Sequence, residues 1–202
     1  MIKRDIKTEL KNLYNPTAKF PVNVDVPSFN FLMFDGIGDP TISESFQSGI
    51  EALFSLSYTI KFMVRNDIGI DYGVMPLEGL WWMQNDAIFN VAQRDKWQWT
   101  LMIMQPEYVT FDVINKAIKK LMTKKPSEYL LKLKFCEYSE GEAMQIMHIG
   151  PFADEGPNIV KIHDEILKSG HQLCGKHHEI YLSDFRKTAP DKLKTVLRQP
   201  YR

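Results

Sequence analysis

Cysteine is nearly missing from this chain: its 202 residues include two, Cys136 and Cys174. They can bridge only if the fold happens to bring them together, so a disulfide framework is excluded and a reducing compartment with free thiols is the expectation. Net charge is missing as well, because 25 Lys and Arg balance 25 Asp and Glu. Without a basic block longer than a few residues there is no footprint for tracking phosphates, which argues against nucleic acid as a direct partner. Long apolar runs are also lacking. Met1–Leu10 interleaves charges with Ile and offers no core for a secretory signal, and Ala52–Ile60, between Glu51 and Lys61, is too short to cross a bilayer. The expectation is a soluble, cytoplasmic protein with no membrane partner. No low-complexity tract or central linker divides it, so we expect an N-terminal arm over residues 1–21 and one domain over 22–202.

What is present is a succession of strand and helix signals. Residues up to Asn15-Pro16 suit a short helix or a draped arm. Val22, Val24 and Val26 alternate with polar residues, and Phe29–Phe34 is almost continuously apolar, with Asp35–Pro40 expected as the turn that follows. The Gly-x-Gly of that turn lacks the third glycine and the Lys-Ser/Thr of a phosphate cradle, so it reads as a loop. Thr41 and Glu44 have capping-box spacing ahead of an amphipathic helix to about Asn66. Tyr72–Met83 reads as one strand, and Pro76 within it implies a bulge or an edge. Asn85–Lys96 is an irregular or short helical connection, Trp97–Met104 a strand, and Thr110 the cap of a helix ending in Lys119, Lys120, Lys124 and Lys125, a cluster that suits a helix C-terminus. Leu131–Cys136 and Ala143–Ile149 alternate as strands, Asp154–Ser169 is helical with Pro157 near its start, and a short helix is expected from Thr188 to the end. Strand, glycine turn, helix and strand thus occur twice, which predicts an α+β fold of two similar halves with a ligand groove between them.

Among these segments His177–Asp184 is the most informative. Its alternation puts Ile180 and Leu182 on one face and His177, Glu179 and Tyr181 on the other. Side chains two apart on a strand are about 6 to 7 Å apart, so a carboxylate and a phenol can address one small molecule. Four tryptophans supply aromatic walls: Trp81 and Trp82, which must face opposite sides, and Trp97 and Trp99, which share one. With Glu78, Phe135 and His177 these are the candidate ligand-binding residues, suited to a flat or cationic compound opposed by negative charge. A carboxyl group held against indole is poorly solvated, which suits a counter-ion or a general acid or base near neutral pH.

Other chemistries fit less well. His171, Cys174, His177 and His178 are closely spaced donors, but His177 and His178 point to opposite faces of one strand and no second cysteine pair completes a tetrahedral set, so no metal is expected. Nothing places either cysteine beside a base, and no cofactor motif stands out.

Five segments carry a family resemblance: Phe34-Asp-Gly-Ile-Gly-Asp-Pro40, Met75-Pro-Leu-Glu-Gly-Leu-Trp-Trp82, His148-Ile-Gly-Pro151, His177-His-Glu-Ile-Tyr-Leu-Ser-Asp184 and Leu193-Lys-Thr-Val-Leu-Arg-Gln-Pro200. Together they resemble the stand-alone GyrI-like small-molecule-binding proteins, from about Val22 onward. The resemblance implies two pseudo-symmetric βαββ units, with antiparallel sheet around a central ligand cavity. It implies a lipophilic, often cationic, small-molecule partner and places the cavity's glutamate at Glu179. Some stand-alone relatives hydrolyse cyclopropane-bearing toxins with the Glu and Tyr of this motif, which makes Glu179 and Tyr181 the implied catalytic residues. The alternatives are a sequestering protein without turnover and an interaction module that modulates gyrase. The related regulators carry a helix-turn-helix ahead of this domain, for which the first twenty or so residues leave no room.

Overall fold

The computed structural model describes residues 1–83 and 93–202; most of the expected Asn85–Lys96 connection lies outside them. In chain order the strands are β1 (Ile2–Arg4), β2 (Val22–Val26), β3 (Phe29–Ile37), β4 (Ile70–Tyr72), β5 (Leu77–Met83), β6 (Trp97–Gln105), β7 (Lys134–Tyr138), β8 (Gly141–Ile149), β9 (His177–Tyr181) and β10 (Lys194–Pro200). The helices are α1 (Ile6–Glu9), α2 (Lys11–Tyr14), α3 (Glu44–Ile68), α4 (Phe111–Lys124), α5 (Glu128–Leu131) and α6 (Gly156–Lys168). The chain is α+β and divides into two compact units, neither contiguous in sequence. The first holds Met1–Glu9, Phe29–Leu77 and Trp82–Tyr138, the second Leu10–Ser28, Glu78–Trp81 and Ser139–Arg202. None of the described helices is long and apolar enough to cross a membrane.

The expected βαββ repeat is present, with the same connectivity in each of two copies. In the second, β8 leads through α6 to β9 and then β10, and β10 inserts antiparallel between β8 and β9. In the first, β3 leads through α3 to β5 and then β6, which pairs antiparallel with β3. The first strand of each copy has a further antiparallel neighbour, β2 on β8 and β7 on β3. A small parallel pair, β1 with β4, completes the first unit.

Several boundaries differ from the sequence expectation. The largest difference is at the C-terminus, where the expected helix from Thr188 is a 3-10 turn, Pro190–Lys192, followed by β10. Residues Thr195–Pro200 are all buried, with Leu197 packed against Ile162 and Ile166 of α6 on one face and Arg198 bonded to Glu140 and Leu13 O on the other. Burial on both faces erases the alternation that marks a half-buried strand, so its apolar spacing imitates a helix. Leu131 ends the helical turn α5 and the strand begins at Lys134. The supposed strand Tyr72–Met83 is two strands, and since β5 starts at Leu77, Pro76 lies outside it and no bulge or edge is required. The cap of α3 is Ser43, whose hydroxyl accepts from Phe46 N at 3.2 Å, rather than Thr41.

The Asp35–Pro40 turn also starts later than expected, because β3 runs on through Gly36 to Ile37. Gly36 sits opposite Trp99 of β6. A Cβ on Gly36 would lie 2.0 Å from the indole ring, so the missing side chain is what lets Trp99 fold over the strand. Trp99 is wholly buried there, edge-on to Phe46 at 5.0 Å, and its Nε1 donates to Gly38 O at 3.2 Å. Gly36→Ala is therefore expected to destabilise the protein by about 1–3 kcal/mol or more through overpacking, read as a lower denaturant midpoint at unchanged slope.

Candidate functional site

The half-buried alternation of β9 sorts its side chains into two groups. His178 and Ile180 are buried, whereas His177, Glu179 and Tyr181 are partly accessible. On β10 the register places Leu197 opposite Glu179 and Thr195 opposite Tyr181. Leu197 packs with Met144 and Ile146 of β8 and Ile162 and Ile166 of α6, so α6 lies over the Glu179 face of the sheet.

On that face the Tyr181 hydroxyl donates to Glu179 Oε2 at 2.7 Å, and Trp81 Nε1 donates to the same hydroxyl oxygen at 3.2 Å. His177 Nε2 stands 3.5 Å from the other carboxylate oxygen. The Glu179 side chain is 16% exposed, open enough for a small molecule yet mostly out of water. Phe152 meets the Tyr181 ring edge-on at 5.6 Å and Phe185 at 6.1 Å, adding apolar surface. Gly79 makes the arrangement possible, since a Cβ there would lie 2.8 Å from Trp81 Nε1 and 3.1 Å from the Tyr181 hydroxyl. Burial, reinforced by the charge of Glu179, holds the Tyr181 phenol well above its usual range, so it remains a donor at physiological pH. At the start of α6, Glu155 is buried too; loss of solvation and then the charge of Glu179 push it up to about 9.

The opposite face of β9 is built differently. His178 Nε2 bonds Glu78 Oε2 at 2.9 Å, and Tyr14 donates to Glu78 Oε1 at 2.8 Å. His178 Nδ1 bonds Glu140 at 3.0 Å, and Glu140 also accepts from Arg198 Nη1 at 2.9 Å. Arg198 further donates to Gln145 Oε1 at 3.0 Å and to Leu13 O at 2.8 Å. Burial alone would lower the His178 pKa, but Glu140 and Glu78 outweigh it and raise it to about 9. Burial likewise would raise Glu140, and the cations of His178 and Arg198 outweigh it, holding it at about 2. Two cations thus meet two anions with nearly every polar atom paired, the condition under which a buried ionic cluster is tolerated.

Of the residues singled out from the sequence, the second unit brings Trp81, His177, Glu179 and Tyr181 together. Glu78 belongs to the buried cluster with His178, on the face of β9 away from Glu179. The remaining four are in the first unit: Trp99 in its core, Trp97 beneath the Arg94 guanidinium at 5.4 Å, Phe135 edge-on to Phe111 at 5.0 Å, and Trp82 half-buried near the end of β5. Sequence reading missed Glu155, Glu140, His178 and Arg198. Arg198 looked like part of a helix, Glu140 is brought to His178 and Arg198 only by the fold, and Glu155 carried no local signal because its burial arises from α6 packing on the sheet. Among the described residues no three His, Cys, Asp or Glu side chains are grouped to hold a metal ion.

Comparison with known proteins places this geometry in a family. Residues 21–202 match the GyrI-like small molecule binding domain. An uncharacterized conserved protein from Listeria innocua is 39% identical, with each chain covered in full and a TM-score of 0.92. A hydrolase from Listeria innocua is 37% identical, again with full coverage of both chains, at a TM-score of 0.86. A further structure of a hydrolase from that organism is 38% identical over 99% of this chain and 100% of its own, at 0.88. No curated protein matches the chain. With the match running through almost the whole sequence, the chain belongs to the GyrI-like small-molecule-binding domain family.

Proposed function

We propose that the protein binds lipophilic aromatic small molecules at the Glu179 face of β9 and adds water to electrophilic ones, of which strained cyclopropanes conjugated to a carbonyl are the type. The observation that carries this reading is the 2.7 Å hydrogen bond from the Tyr181 phenol to a mostly desolvated carboxylate. Relatives described as hydrolases, at 37% and 38% identity, support it. In the reaction Glu179 takes a proton from a water molecule as the water oxygen bonds to the strained ring carbon. The ring C–C bond breaks, and its electron pair moves through the conjugated system to the carbonyl oxygen, which then takes up a proton. Trp81 fixes the phenol oxygen, so that once Glu179 is protonated the Tyr181 O–H is free to hydrogen-bond the reacting group.

A lone negative charge flanked by Trp81, Tyr181 and Phe152 also favours a second reading, in which a lipophilic cation is held without turnover. One experiment separates the two. The protein is incubated with a cyclopropane-bearing aromatic ketone and the products are followed by mass spectrometry, alongside titration with a fluorescent lipophilic cation. Water adduct forming well above the buffer rate is the expected result. Tight dye binding with no acceleration would replace the hydrolytic reading with sequestration.

A further inference from the structure

The Glu179 face holds a second carboxyl group that the steps above leave idle. Glu155 stands at the N-terminal end of α6, where its backbone carbonyl accepts from Asn158 N at 2.9 Å and Ile159 N at 3.0 Å. Its side chain makes no capping bond, is turned inward to 4% residue exposure, and has one oxygen, Oε1, without a hydrogen-bond partner. Thr195 Oγ1 is also buried, and its hydroxyl is close enough to the Glu155 carboxyl to hydrogen-bond it and draw its pKa down, against the larger effect of burial. Since Thr195 pairs with Tyr181 on one side and His148 on the other, the Glu155 carboxyl beside it belongs to the row that carries the proposed site. A buried polar atom left unpaired costs about 1–3 kcal/mol. A buried carboxyl oxygen without a partner, beside a hydrogen-bonded Glu-Tyr pair, is what a binding site shows when part of its complement comes from the ligand.

We propose that Glu155 is the acid of this site, a neutral carboxylic group that donates its O–H to a carbonyl-type acceptor on the compound that Glu179 addresses. This rests on the hydrolytic reading above and adds to it the missing proton source and a substrate class. Titratable groups on the same face are Glu179, Tyr181 and His177 of β9, His148 of β8 and His163 of α6. His148 is committed to Pro151 O at 3.0 Å and Asn158 Nδ2 at 3.1 Å, and burial followed by His177 lowers the pKa of His163. Burial and the nearby Glu179 carboxylate keep Glu155 protonated to about pH 9, against a smaller opposing pull from Thr195. One proton is therefore shared between two carboxyl groups. During the reaction Glu179 takes the proton of water and Glu155 gives its own to the carbonyl oxygen that receives the ring electrons. The pair then holds the same single proton on the other member, and exchange with solvent resets it. Compounds that combine an electrophilic carbon with a conjugated carbonyl use both groups, whereas a hydrocarbon-clad cation leaves the Glu155 O–H unpaired.

The test combines the pH dependence of turnover of a cyclopropane-bearing aromatic ketone with infrared detection of protonated carboxyl groups at about pH 7. Wild-type kcat is expected to fall as pH rises through about 9. Glu155→Gln is expected to lower kcat by about 10²-fold or more with KM little changed, to lose that alkaline fall, and to lack one protonated-carboxyl band. Glu155→Asp, a second variant, is expected to keep both the band and the alkaline fall at reduced kcat. Wild-type kcat in Glu155→Gln, or an infrared spectrum with Glu155 ionised at neutral pH, would overturn the proposal. If the wild type makes no water adduct, the hydrolytic reading is what fails, and the infrared result still decides whether Glu155 is a neutral donor.

Discussion

Glu179→Gln is expected to slow water addition by about 10²–10⁴-fold, the range associated with losing a positioned general base. The substitution is close to isosteric and keeps an oxygen that can accept from the Tyr181 hydroxyl, now at 2.7 Å, so the aromatic surroundings should hold their shape. What disappears is the ability to take a proton from water. KM for a neutral ketone should move little, whereas affinity for a lipophilic cation should drop, because the charge that opposes it is gone. A second consequence follows through Glu155, whose elevated pKa comes from burial first and from Glu179 second. Removing the Glu179 charge should let Glu155 ionise at lower pH, so any residual activity should decline earlier on the alkaline side. The comparison needs kcat and KM for both proteins across pH, with thermal unfolding to confirm that the variant is folded. Wild-type turnover in Glu179→Gln would remove this carboxylate from the chemistry altogether.

The other large effect concerns stability. Glu140→Ala is expected to cost about 3–5 kcal/mol, the usual consequence of removing one partner from a buried ionic group. Glu140 accepts from both His178 and Arg198, and its loss would leave a buried guanidinium and imidazole with Glu78 as the remaining carboxylate of the cluster. The pH dependence carries a sign. His178 is raised in the folded protein from 6.5 to about 9, so its contribution is full below about 6.5 and is lost as pH climbs through 9. Glu140 is lowered from 4.5 to about 2, so its contribution is full above about 4.5 and is lost as pH falls toward 2. The cluster therefore supports the fold most strongly between about pH 4.5 and 6.5. Urea unfolding at several pH values should show the wild type losing stability on both sides of that window, and Glu140→Ala losing much less on the alkaline side. Equal stability of the two proteins at about pH 6 would show that the cluster contributes nothing net.

What the sequence discloses here depends on how many faces of an element are buried. β9 was legible because one of its faces is accessible and the other is not, which writes a period of two into His177–Tyr181. β10 was not, because both of its faces are covered and Thr195–Pro200 are uniformly buried. The Glu-x-Tyr pair was visible as a local motif, and Trp81 as one of two adjacent tryptophans whose facing alone was undecided. Trp99 read as a ligand wall because aromatic residues stand out, whereas the feature that makes it core is the glycine opposite, found only once β3 and β6 are in register. The buried ionic cluster draws Tyr14, Glu78, Glu140, His178 and Arg198 from distant parts of the chain, and no local pattern announces such a group. Glu155 was invisible for the same reason.

The interleaving of the two units along the chain bears on how the protein can be made. Leu13 and Arg198 are 185 positions apart yet share a 2.8 Å hydrogen bond within one unit. On the ribosome, β2 emerges early and must wait for β8, its antiparallel neighbour, until most of the polypeptide has been synthesised. No single cut separates a self-sufficient half, so nonsense truncations short of β10 should yield insoluble product rather than a smaller binding domain.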